Sequence, residues 1–416
     1  SPIVFLRLRK AVRRGQVVYT VAPWATRGTG KLSARLIPAA PGTETEILSA
    51  LTTGNAAVAE ASAALREPGA VILVGERAAV VPGALTGVLR LAAATGARTG
   101  WVPRRAGERG AAEAGALPSV LPGGRPVADA AARVDVAAAW EVEALPVTPG
   151  RDTAGLLAAA ASGELAGLVV GGVDPDDLPD PQAALRALDA VGFLVSLEVR
   201  AGAVTQRADV VLPVAPISEK AGTFVDWEGR WRAFPAALSS NALPDFRVLD
   251  AIADAMDSPL GLRGVEQVRG ELGQLDAWEG DRADPPAAPS GLPPQAGPGE
   301  AVLASWHLLL DAGRLQDGEP YLAGTAHRAV ARVSAATAAR AGIVDGGTVR
   351  VATGRGSITL PVAVTAMPDG VVWLPTNSAG SRVHPTLGAG AGSVVTVSPG
   401  PDATGPTPAA DDVRES

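Results

Sequence analysis

The 416 residues hold enough apolar side chains for several cored domains of ordinary size, and their net charge of −7 is mixed rather than blocked, which argues against a nucleic-acid surface. Cysteine is absent, so neither a disulfide nor a thiolate-held metal or iron–sulfur cluster is available to these residues. No run of about eighteen uninterrupted apolar residues could span a bilayer; the expectation is a cytoplasmic protein whose membrane link runs through partners.

Residues 1–15 predict a helix with Val4, Leu8 and Val12 on one face, Lys10, Arg13 and Arg14 near its negative end, and Gly15 as a left-handed cap. The basic cluster Arg7, Arg9, Lys10, Arg13 and Arg14 reads as a solvated face before it reads as a phosphate or partner site. A strand at 16–21 follows. A helix running straight into a strand resembles an α/β domain entered midway, and the chain is expected to be the C-terminal piece of a longer one. Thr43 and Glu46 have the spacing of a capping box for a helix through residue 51, and a second helix is expected over 55–65. Strands at 70–74 and 98–102 flank a helix at 83–94, a βαβ unit that predicts parallel sheet. Residues 103–150, weakly patterned and rich in Gly, Pro and Ala, are expected to run over the surface with one short helix near 128–133.

Regular α/β structure resumes with Asp152 capping a helix through residue 161. A buried strand at 168–170, a helix opened by Asp180-Pro181 through residue 190, and strands at 192–197 and 208–214 follow. The three strands should share one sheet. The loop Gly171-Gly172-Val173-Asp174-Pro175 lies beyond the carboxyl end of the first, where open α/β sheets bind ligands. It is neither the G-x-G-x-x-G nor the P-loop pattern, and a tight glycine turn punctuated by Asp174-Pro175 explains it equally well.

Glu219 and Lys220 form, by default, an exposed turn ion pair worth under about 1 kcal/mol. Two hairpin arms at 222–225 and 230–234 surround Asp226-Trp227-Glu228-Gly229, with Gly229 supplying the positive φ; Phe224, Trp227 and Trp231 are expected in a core. Asp226 and Glu228 need not face each other and are assigned no acid/base role.

Pro244 begins a helix that should share Phe246, Leu249, Ile252, Ala253 and Met256 on one face, and a second helix is expected over 265–278. Residues 279–299 read as a Pro/Gly-rich linker. Strands at 302–310, 348–352, 357–365, 371–374 and 393–397, with a helix capped by Ser334 and ended at Gly342, make a small β-barrel. The predicted domains are therefore α/β at 1–150, α/β with hairpin and helices at 151–278, the linker, the barrel at 300–399 and a disordered tail at 400–416. His307, His327 and His384 lie far apart without short-spacing partners, which gives metal binding or catalysis little support, and no G-x-S-x-G elbow is present.

The run ADVVLPVAPISEKAGTFVDWEGRWRAF at 208–234 resembles the signature of the molybdopterin oxidoreductase family. Its ISEKAGTFVDWEGRWRAF version is similar to the large iron–sulfur subunits of bacterial NADH-quinone oxidoreductase, respiratory complex I. The order helix, AGIVDGGTVRVATGRGSITLPV, GVVWLPTN resembles the family's C-terminal domain. The fold class implied is α/β, with parallel-sheet molybdopterin-oxidoreductase-like domains followed by a C-terminal double-psi β-barrel-like domain.

In that family the loop equivalent to 171–175 approaches a pterin guanine dinucleotide, and Asp174 stands where the family has Asn; a carboxylate there would repel a pyrophosphate. Gly172, Asp174, Glu219, Gly222, Thr223 and Asn377 are the pterin-loop candidates, read as vestigial, and the bulky Trp227 agrees with a filled cavity. The resemblance implies no catalytic residue, cofactor or metal in this region. It implies a holoenzyme that moves electrons from NADH through FMN and 2Fe-2S and 4Fe-4S clusters to a quinone, coupled to ion translocation. The partners implied are other peripheral-arm subunits and the polypeptide's own N-terminal iron–sulfur domains, on the cytoplasmic side of the cell membrane, with no nucleic acid and no direct membrane insertion. The alternative is a fragment of a true molybdopterin-dependent oxidoreductase, of formate dehydrogenase or nitrate reductase type, binding the dinucleotide through the loops at Gly172, 219–222 and Asn377.

Overall fold

The computed structural model describes residues 2–103, 105, 107–226, 228–282 and 291–401. Trp227, part of the expected linker and the tail from 402 fall outside the described residues. Contacts divide the chain into two units, Ser1–Val102 with Leu178–Pro181 and Ala288–Ser416, and Pro103–Asp177 with Gln182–Ala287. By these contacts the first α/β stretch, to Val102, groups with the barrel.

In the first unit, helix Pro2–Val12 ends before Gly15, whose φ is 91°. Strand Tyr19–Ala22 pairs in parallel with Arg35–Pro38, and Val71–Gly75 with Arg98–Val102 across helix Ala84–Thr95, which is the βαβ unit expected. Leu51, Val58, Ala61 and Leu91 are buried together, with Tyr19, Ile37 and Ile72 packed against them. Each large member contributes about 1.5–3 kcal/mol by leaving water.

The capping box at Thr43 does not form. Thr43 has a turn-like backbone and makes no side-chain cap; its hydroxyl donates back to Ala40 O at 2.8 Å. The box occurs earlier, where Thr26 has the extended backbone an N-cap needs and exchanges bonds with Thr29, 3.3 Å each way.

The barrel is closed by six strands in the order Glu300–Trp306, Val371–Pro375, Ala331–Val333, Ser357–Val364, Thr348–Ala352 and Val394–Pro399. Two neighbouring pairs are parallel and the rest antiparallel. Leu303, Val333, Val349, Val351, Val362 and Leu374 fill its interior. Helix Ala335–Ala341 starts as expected at Ser334, whose hydroxyl accepts the Thr337 N–H at 3.1 Å, and stops at Gly342 with φ 66°.

In the second unit, Leu168–Gly171, Leu194–Glu198 and Val210–Pro213 form one parallel sheet in that order. Only the central strand is well buried. Val169 and Val211 stay exposed on the two flanking strands, and of the strand expected to be buried at 168–170 only Leu168 and Val170 pack against a core, partly buried. Helix Thr153–Ala161 is capped by Asp152, which accepts the Gly155 N–H at 2.8 Å.

Residues 103–150 are more regular than their composition suggests. They hold helix Glu108–Glu113, a short pairing of Val120–Leu121 with Arg125–Pro126, and helix Ala130–Ala139 capped by Asp129. Their organiser is Arg125, 2% exposed, which donates to Pro122 O (3.2 Å) and Asp276 O (2.8 Å), pairs with Asp135 (3.3 Å) and lies 5.5 Å from the centre of the Trp278 ring. Hydrophobic periodicity carries no trace of a core built on a cation. Helix Asp245–Ala255 buries Val248 and Asp250 and leaves Leu249 and Met256 exposed, a face turned from the one expected. Val248 and Ile252, one turn apart, meet Leu197 and Val214, and this contact sets the rotation. Helix Val265–Gly273 stops short of the expected 278.

Candidate functional site

The hairpin forms as read: Gly222–Val225 pairs antiparallel with Trp231–Phe234, and Gly229 has φ 85°. Asp226 locks the turn by accepting the N–H groups of Glu228 (3.0 Å) and Arg230 (2.9 Å) and the Arg230 Nε–H (3.2 Å). The Arg230 backbone bond first, then its guanidinium, hold the Asp226 carboxyl below the usual carboxylate range. Glu228 pairs with Arg230 as well, so both carboxylates are fixed as acceptors. Phe224 and Trp231 are exposed and not in a core; Phe224 instead stacks on Phe234 at 5.1 Å between ring centres.

Arg269, on helix Val265–Gly273, ties two candidate residues together by donating to Gly222 O (2.8 Å) and to Thr223 Oγ (3.0 Å). A Cβ at Gly222 would come within 2.5 Å of the Phe234 ring, which accounts for glycine there. Glu219 ends a short turn, Ile217–Glu219, and does not pair with Lys220. Lys220 has extended backbone, which sends neighbouring side chains opposite ways, and its ammonium pairs with Asp245 at the start of helix Asp245–Ala255.

In the loop after Leu168–Gly171, Gly172 is left-handed with φ 64° and donates to Leu197 O at 3.2 Å. Asp174 turns back on its own loop, its Oδ1 accepting the Asp176 N–H (3.1 Å) and its carbonyl the Asp177 N–H (3.0 Å). Asn377 belongs to the other unit, where Asn377–Ser378 pairs with Ser381–Arg382 and the Asn377 carbonyl accepts the Ala312 N–H at 2.7 Å.

One constellation escaped the sequence. Trp24, just past the carboxyl end of strand Tyr19–Ala22, stacks on Trp306 (5.5 Å) and meets Trp373 edge-on (5.4 Å), while Trp306 and Trp373 are 5.0 Å apart. Arg332 covers Trp24 at 4.4 Å, and Arg77, just past the carboxyl end of Val71–Gly75, covers Trp306 at 4.6 Å. Burial lowers the Arg332 pKa from its usual value. The indole N–H groups of Trp24 and Trp373 are buried without a hydrogen-bond partner among the described residues. Each tryptophan is isolated in the chain, so only their number, eight in a chain poor in aromatics, hinted at a cluster.

His307 does have an i+4 neighbour in Asp311, with Nδ1 and Oδ2 2.5 Å apart. Among the described residues no group of three or more His, Asp or Glu side chains is placed to hold a metal ion.

Residues 1–255 match the family model described as molybdopterin oxidoreductase, and residues 315–413 match the molydopterin dinucleotide binding domain. The chain belongs to the molybdopterin oxidoreductase family. Within it, the chain is 58% identical over 405 residues to the G subunit of NADH-quinone oxidoreductase from Mycobacterium tuberculosis, covering 96% of this chain and 50% of that relative. It is 54% identical over 409 residues to the corresponding G subunit from Streptomyces coelicolor, covering 96% and 48%. The chain thus spans about half the length of the curated relatives it matches. Among solved structures its fold is similar to acetylene hydratase from Pelobacter acetylenicus, with a TM-score of 0.55 and 14% identity over 89% of this chain and 68% of that one. Among the described residues no helix is long and apolar enough to cross a membrane.

Proposed function

We propose that this chain is a scaffold region, without its own cofactor, of the iron–sulfur subunit of an NADH-quinone oxidoreductase. In this reading the holoenzyme carries electrons from NADH through FMN and iron–sulfur clusters to a quinone. The clusters and flavin are held by other parts of the same polypeptide and by its partners, on the cytoplasmic side of the membrane. The region braces the peripheral arm.

The observation that carries the reading is the tryptophan trio. In α/β folds the ligand crevice lies beyond the carboxyl ends of the strands. Here, of the residues just past two such ends, Trp24 is taken up in packing with Trp306, Trp373 and Arg332, and Arg77 lies over the Trp306 ring. The loop of Asp174 adds support, since the Asp176 N–H that a phosphate would use is already bound by the Asp174 carboxylate. A pterin guanine dinucleotide does not fit these residues: its pyrophosphate would face a fixed negative charge.

Metal analysis of the full-length protein tests the reading. Iron without molybdenum or tungsten is the expected result. Stoichiometric molybdenum or tungsten would overturn it in favour of a formate dehydrogenase or nitrate reductase type of enzyme.

A further inference from the structure

Helix Pro2–Val12 has two unlike faces. Val4, Phe5, Leu8, Ala11 and Val12, at helical spacing, are half-buried, and no residue of the helix is buried outright. The opposite stripe runs Ile3, Leu6, Arg7, Lys10, Arg14, with Ile3 56% and Leu6 54% exposed and the three cations in solvent. Arg7, Lys10 and Arg14 line one open concavity of about 630 Å³ together with Ala11 and Gln16. Residues 1–43 hold eight Lys and Arg and no Asp or Glu, in a chain whose net charge is −7. Like charges three and four residues apart repel along a helix, and among the described residues none of Lys10, Arg13 and Arg14 has a carboxylate partner. Solvated helix faces elsewhere in the chain mix their signs, as Arg109 with Glu113 and Arg247 with Asp250 do. An uncompensated basic stripe running into exposed Ile3 and Leu6 has instead the make-up of one half of an electrostatically complementary interface.

We propose that this stripe docks an acidic patch of a separate subunit, whose carboxylates enter the concavity of Arg7, Lys10 and Arg14 while apolar side chains meet Ile3 and Leu6. The inference rests on the reading above, in which the chain works inside a multi-subunit oxidoreductase. Charge singles out the occupant. Long-range attraction speeds the encounter of bodies that meet by diffusion, whereas a segment tethered in the same polypeptide is already at high effective concentration and gains nothing from steering. A lipid surface is the poorer fit, because an interfacial helix sinks its whole apolar face and here most of that face is turned into the protein. A nucleic acid would run past the roughly 16 Å of the helix onto a chain of net negative charge.

The test is zero-length carbodiimide coupling in the native complex of the full-length protein, which joins an ammonium directly to a carboxylate in contact with it. These residues hold three lysines, Lys10, Lys31 and Lys220, so the products mapped by mass spectrometry are few, and Lys220, paired with Asp245, supplies the internal control. Lys10 joined to an Asp or Glu of another subunit is expected. Lys10 joined only within its own polypeptide, or left free while the Lys220–Asp245 product forms, would overturn the docking. As a companion measurement, Arg7→Glu with Lys10→Glu and Arg14→Glu should weaken binding of the cross-linked subunit to the full-length protein about tenfold at physiological salt and flatten its salt dependence, whereas Arg7→Lys with Arg14→Lys, which keeps the charge, should leave both nearly unchanged. An equal loss in the two variants, or no loss in either, would also overturn it. Failure of the unsubstituted protein to co-purify with any other subunit removes the scaffold reading and the docking together; co-purification without the Lys10 product removes the docking alone.

Discussion

Arg332 lies over Trp24, its guanidinium 4.4 Å from the ring centre and its Nη1 donating to Thr365 Oγ1 at 3.1 Å. A desolvated cation over a tryptophan face is worth about 2 kcal/mol, and the ring itself is part of a buried cluster. Trp24→Ala should therefore cost about 3–5 kcal/mol, through both the cavity and the stranded cation. Trp24→Phe, which keeps a ring face, should cost clearly less. Denaturant midpoints of the two variants check the order; equal losses would mean that the cation is indifferent to the ring.

Arg269 holds Gly222 and Thr223 from a separate helix. Removing the side chain in Arg269→Ala should destabilise the hairpin by about 1–2 kcal/mol, the range for hydrogen bonds from a charged donor that is partly solvated. Faster amide exchange confined to 222–234 is the expected signature. Arg269→Lys, a point charge without the planar fork, should restore little of it.

Arg125 makes a sharper case. Arg125→Met leaves Asp135 half in water but deprives the carbonyls of Pro122 and Asp276 of their donor. A loss of about 2–3 kcal/mol is expected, with exchange protection falling across 108–139 while the sheet of Leu194–Glu198 keeps its own.

The turn at Asp226 should respond to acid. Its folded pKa lies below the ordinary value of 3.8, so the stabilisation is complete above that value and is lost as the pH falls through the lower, folded pKa. Hairpin protection factors, each rate taken relative to the intrinsic amide rate at the same pH, should fall on acidification in the parent and fall less in Asp226→Asn. An equal acid response in the two proteins would remove Asp226 from the turn's stability.

Much of this architecture could be read from pattern because it depends on local chemistry: Asp152 and Ser334 cap where they should, and Gly229 and Gly342 take the conformations their turns require. The βαβ unit and the three-stranded sheet follow from apolar runs of the right length. What escaped depends on contacts between distant residues. The rotation of helix Asp245–Ala255 is set by Leu197 and Val214, the order within 103–150 by a buried arginine, and the partner of Lys220 by the fold bringing Asp245 to it. Of the candidate site, the hairpin and the loop at Gly172 were visible as motifs. The tryptophan trio was not, because its ring contacts join residues that lie far apart in the chain, Trp24 with Trp306 and Trp373.

Ring closure of the C-terminal strands has a practical side. A cylinder leaves no rim of unpaired amides for another copy's strand to zip onto. In a concentrated preparation, fibril-like association would have to begin elsewhere, at the open two-stranded ribbons such as Tyr19–Ala22 with Arg35–Pro38.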